Sequence, residues 1–89
     1  MKSKRQRGQS VPLVDEQKEF LKQVGARLRH LRKEKKYSSY EDFANTHEID
    51  RSQYGKYERG VDMQLTTLKR ILKALEVTPK EFFAKGFDS

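Results

Sequence analysis

Cysteine is absent from this 89-residue chain, which excludes a disulfide framework, a zinc ribbon and a thiol nucleophile. Long apolar runs are absent too. None approaches the roughly 20 residues of a membrane span, and no signal-type apolar stretch follows the basic N-terminus, so the expected location is cytoplasmic. A Gly-rich phosphate loop, a serine elbow and a catalytic carboxylate pair are all missing, and the protein is not expected to be an enzyme. Hydrophobic residues make up only 34% of the chain, so a small core must be held by packing alone, which suits compact helices. Acids are the scarcer charge. Against 13 Asp and Glu stand 20 Lys and Arg, for a net charge of +7 and a pI near 9.8. That balance favours a polyanionic partner, and charge alone does not choose among DNA, RNA and an anionic membrane.

The excess charge lies towards the N-terminus. Residues 1–10 hold Lys2, Lys4, Arg5 and Arg7 with no acid. Residues 11–36 carry eight bases against Asp15, Glu16, Glu19 and Glu34, whereas 37–60 are net acidic. The first dozen residues lack apolar periodicity and have nothing to bury, so residues 1–13 are read as a disordered basic arm and 14–89 as the folded domain. Phe20, Val24, Leu28 and Leu31 recur at steps of three and four, predicting a helix over 15–35 with acids at its start and bases at its end. Ser39 with Asp42 predicts the start of a helix over 40–46, and Asp50 with Gln53 the start of one over 51–59 that Gly60 ends. Leu65, Leu68, Ile71, Leu72 and Leu75 form a further stripe. Thr78-Pro79-Lys80-Glu81 combines an N-cap, a proline at the first helical position and an acid two residues later. The fold class is all-α, a compact five-helix bundle.

The segment 39–60 is the most informative. Two short helices meet across His47-Glu48-Ile49-Asp50, with Ala44 small enough for close approach and Ile49, Tyr54 and Tyr57 turned inward, the layout of a helix-turn-helix. On a helical wheel one side of 51–59 carries Arg51, Gly55, Arg59, Ser52 and Lys56, a basic, polar face with bare backbone at Gly55. The other side is aromatic. Such a face suits a major groove, where Arg bridges two guanine acceptors and Ser pairs with several bases.

At these residues the chain resembles the lambda-repressor-like, or XRE-type, helix-turn-helix regulators. The resemblance covers about Phe20 to Phe83 and rests on Val24-Gly25-Ala26-Arg27-Leu28-Arg29-His30-Leu31-Arg32, Phe43-Ala44, Arg51-Ser52, Tyr57-Glu58-Arg59-Gly60 and Thr67-Leu68 through Val77-Thr78-Pro79. It implies a five-helix DNA-binding domain acting as a homodimer on double-stranded DNA as a transcriptional regulator, with repression the expected sense. It further implies that Arg51, Ser52, Gly55 and Lys56 face bases and that Tyr40 and Arg59 meet phosphates. Two departures stand out. Glu48 occupies a turn position where the family often has glycine, so either Glu48 is left-handed or the turn differs, and Tyr40 stands where glutamine is common. The connection from Arg32 to Ser39 is one residue longer than usual, leaving Arg32 and Lys33 as candidate partners of Glu58; Arg32 is favoured because a planar fork suits an enclosed carboxylate.

Each feature also has a plainer meaning. A charged face on a short helix is most often just solvated, Phe43, Tyr54 and Tyr57 belong in the core, and the arm serves equally well as a solubilising tail. His30 and His47 are expected at the surface, with no metal site and no cofactor. A different functional class is a protein-interaction module, such as the antitoxin of a toxin–antitoxin pair, using a surface near Phe82, Phe83 and Phe87. Those three phenylalanines are also more apolar surface than a short helix usually buries, which predicts dimerisation through the last helix and its extension.

Overall fold

The structure is a computed structural model that describes residues 12–88; most of the basic segment, residues 1–11, lies outside the described residues. Five helices follow one another in the described chain: α1 (Asp15–Glu34), α2 (Tyr40–Thr46), α3 (Arg51–Glu58), α4 (Leu65–Leu75) and α5 (Pro79–Phe83). No strand occurs among the described residues, and the fold is all-helical as expected.

The helix starts follow their local chemistry. Ser39 Oγ accepts the Asp42 N–H at 3.0 Å and Asp50 Oδ1 accepts the Gln53 N–H at 3.0 Å. At α5 the capping box is complete, with Glu81 N–H donating to Thr78 Oγ1 at 3.1 Å and Thr78 N–H to Glu81 Oε1 at 2.8 Å. The first four helices end with one device. Residues Lys36, Glu48, Gly60 and Glu76 all have positive φ, and the residue after each donates its N–H back to the last turn: Tyr37 to Arg32, Ile49 to Ala44, Val61 to Lys56 and Val77 to Leu72, at 2.8 to 3.2 Å. This closure feeds the orphan carbonyls of each helix and turns the chain sharply. Glycine occupies one of the four positions.

The core gathers one face of each helix: Val24, Leu28 and Leu31 of α1, Phe43 and Ala44 of α2, Tyr54 and Tyr57 of α3, four residues of α4 and Phe82 of α5. α1 packs on α2 and α3, and α5 on α4. Arg27 of α1 fastens the last helix by donating from Nε to the Phe82 carbonyl at 2.8 Å and from Nη2 to the Glu81 carbonyl at 3.0 Å.

Three residues depart from their expected burial. Leu65 belongs to the α4 stripe yet is 81% exposed, because it opens the helix beyond the edge of the core. Phe20 is 47% exposed and lies outside the core cluster. Its ring stacks on Phe83, nearly parallel at 6.3 Å between centroids, and meets Phe87 at 5.9 Å. The C-terminal phenylalanines thus cover α1 and one another, and leave less apolar surface than their number suggests. His47, expected at the surface, is half-buried between Phe43 and Tyr37, with its Nε2 3.0 Å from the Tyr37 hydroxyl.

Candidate nucleic-acid interface

α2 and α3 are joined by four residues whose geometry settles the turn. Glu48 is left-handed, with φ 56°, and the N–H of Ile49 bonds the Ala44 carbonyl at 2.8 Å. Ile49 is drawn against the core as the chain enters α3.

The C-terminal end of α3 is locked to α1. Arg32 donates from Nε to Glu58 Oε2 at 2.8 Å and from Nη2 to Oε1 at 3.0 Å, while Nη1 bonds the Tyr37 carbonyl at 3.0 Å. Both charged side chains are almost fully enclosed. Arg32, not the exposed Lys33, is therefore the partner of Glu58. The carboxylate raises the Arg32 pKa above its ordinary value, outweighing the opposing effect of burial. Removing one member of such a pair leaves the other charge buried, at a typical cost of about 3–5 kcal/mol. Gly25 allows the close helix contact: a Cβ there would lie 2.5 Å from the Glu58 backbone oxygen and 2.7 Å from that of Tyr57.

The opposite end of α3 is open. Tyr40 starts α2, Arg51 starts α3, and Tyr40, Glu41, Arg51 and Ser52 line a shallow notch between these two helix starts. Arg51, Ser52 and Lys56 are exposed along α3, and Arg59 is exposed at its C-cap. Among the described residues Arg51, Lys56 and Arg59 take part in no ion pair. Tyr54 and Tyr57, by contrast, are buried.

The structure corrects the expectation of bare backbone at Gly55. Gly55 is buried beneath Tyr40, and a Cβ at position 55 would meet Tyr40 Cε1 at 2.7 Å. A glycine inside an eight-residue helix costs stability, which signals that something approaches closely. Here the approaching group is a side chain of the preceding helix. Glu41 also lines the notch, a position that no local sequence signal marks because it depends on how α2 and α3 cross.

The helix-turn-helix domain family matches residues 25–85, from the middle of α1 to just beyond α5. The chain belongs to that family. This agrees with the resemblance to XRE-type regulators carried by the sequence motifs. Comparison with curated proteins and with solved structures finds no match. Among the described residues of this helix-turn-helix protein, no helix is long and apolar enough to cross a membrane, and no group of three or more His, Asp or Glu could hold a metal ion.

Proposed function

We propose that this protein is a sequence-specific double-stranded DNA-binding regulator of transcription, acting as a repressor in the cytoplasm, with α3 in the major groove. The observation that carries the reading is the polarity of α3. Its C-terminal end is held by a buried ion pair and a glycine contact, while its first turn offers Arg51 and Ser52 to solvent and Lys56 stays exposed in the last turn, with Arg51 and Lys56 in no ion pair among the described residues. A rigid helix with an open, basic start is suited to base edges, because little order remains to be imposed on binding. Arg51 reads guanine through its fork, Ser52 lies beside it with Lys56 one turn further along α3, and Tyr40 and Arg59 meet the flanking phosphates. Gly55 acts through Tyr40, by seating the ring that borders the notch. Two copies bind as a homodimer on two half-sites, about one helical turn of DNA apart.

Selection from a random duplex DNA pool tests the reading, with a two-fold motif as the expected product. On the selected site Arg51→Ala is expected to cost about 1–3 kcal/mol and to relax preference at one base pair per half-site. Melting temperature should hardly change, since the side chain is exposed. Wild-type affinity and preference in a folded Arg51→Ala variant would remove this face as the reader of sequence.

A further inference from the structure

The N-terminal half of α1 carries two shallow grooves on either side of Phe20. One is lined by Leu13, Glu16, Gln17, Phe20, Leu21 and Asp62; the other also has Glu16 and Phe20 in its wall, with Glu19, Gln23 and Phe87. Their shared residues make them one continuous surface. Its floor is apolar and partly uncovered, with Phe20, Leu13 and the neighbouring Val14 and Phe83 all among the exposed large hydrophobic residues. Every charged residue lining it is an acid, although the chain as a whole has net charge +7. Glu16, Glu19 and Asp62 take part in no ion pair among the described residues.

That combination narrows the occupant. Nucleic acid and anionic lipid are repelled by three carboxylates around an apolar floor. A second copy in two-fold pairing would set Glu16, Glu19 and Asp62 against their own equivalents, and like charges facing each other disfavour an interface. A segment that is both apolar and basic satisfies the floor and the rim together. We propose that the grooves beside Phe20 dock a protein partner through a basic segment with a large apolar side chain as its anchor. Phe20 receives the anchor, and Glu16, Glu19 and Asp62 receive Lys or Arg on its flanks. The surface is separate from Arg51, Ser52 and Lys56, so it does not depend on the DNA reading.

The test pans a phage library of random twelve-residue peptides against the full chain and measures affinity for a selected peptide by fluorescence anisotropy. The expected consensus is one aromatic or long aliphatic residue flanked by Lys or Arg. Glu16→Gln combined with Glu19→Gln should weaken binding tenfold or more, and Phe20→Ala should do the same, whereas Arg51→Ala should leave it unchanged. The Gln variants lie on the exposed rim and keep the inference testable where Phe20→Ala loosens the aromatic cluster. Failure to enrich a basic consensus would overturn the proposal, as would undiminished binding by the double Gln variant. Peptide binding that tightens after deletion of residues 1–10 even at high salt, where the loss of four positive charges is screened, would assign the grooves to the chain's own basic segment, and a change in sedimentation mass caused by the Gln substitutions would assign them to a second copy. Either result overturns the partner.

Discussion

The Tyr54 hydroxyl is fully buried and makes no hydrogen bond, although it lies beside the Arg32–Glu58 pair. Burial, reinforced by the Glu58 carboxylate, pushes its pKa far above the ordinary 10.0. The folded protein keeps a proton that the unfolded chain releases above pH 10, so this group's contribution to stability is intact below that pH and declines above it. Tyr54→Phe removes an unsatisfied polar atom while keeping the ring. Its expected effect at pH 7 lies between no change and a gain of about 1 kcal/mol, with a shallower loss of stability above pH 10. Urea unfolding of both proteins at pH 7, 9 and 10.5 checks both parts. A loss exceeding about 1 kcal/mol at pH 7 would mean that the hydroxyl has a partner in solution.

At the scale of helices, three of four left-handed closures are made without glycine. Lys36, Glu48 and Glu76, with φ of 71°, 56° and 61°, each keep a Cβ in a region that disfavours one. Glu48→Gly and Glu76→Gly are each expected to raise stability by about 0.5–1 kcal/mol, after the greater chain entropy of glycine is subtracted. The two gains should add, since the sites close different helices. Gly60→Ala is the counterpart, at φ 96°, and should destabilise. Thermal melts of the wild type, the three single variants and the double glycine variant decide the matter, and a lower melting temperature for Glu48→Gly would refute the strain at the turn. The same elements separate what was legible from what was not. Ser39, Asp50 and Thr78 mark helix starts because a cap bonds an N–H three residues away, a purely local interaction. Phe20 and Leu65 fit a helical period equally well, but the period does not tell how far the packed face extends along the helix.

At the scale of the whole molecule, the excess of bases bears on how DNA is held. Lys2, Lys4, Arg5 and Arg7 stand in the N-terminal segment, outside the described residues. If those charges neutralise phosphates, deletion of residues 1–10 should make the slope of log K against log salt shallower by about 0.9 for each phosphate that is no longer neutralised. An unchanged slope would make the segment a solvated tail. Homodimerisation predicts a sedimentation mass that rises with concentration and doubles on a two-half-site duplex, and a constant monomer mass in both conditions would count against it.

What the sequence by itself determined was whatever depends on near neighbours in the chain: five helices, the caps at Ser39, Asp50 and Thr78, the helix-turn-helix layout of α2 and α3, and the aromatic side of α3. The choice of Arg32 over Lys33 also came from side-chain chemistry, because a fork can grip both oxygens of Glu58. Tertiary structure decided what depends on how helices cross. It placed Tyr40 over Gly55, turning an apparent gap for a ligand into the seat of a ring. It moved Phe20 out of the core and onto Phe83 and Phe87, because α5 and the chain after it lie across the start of α1. It also set Glu41 beside Arg51 and gathered Glu16 and Asp62 around one groove. Residues far apart in sequence acquire a common surface only through packing, and periodicity along a single helix carries no information about that.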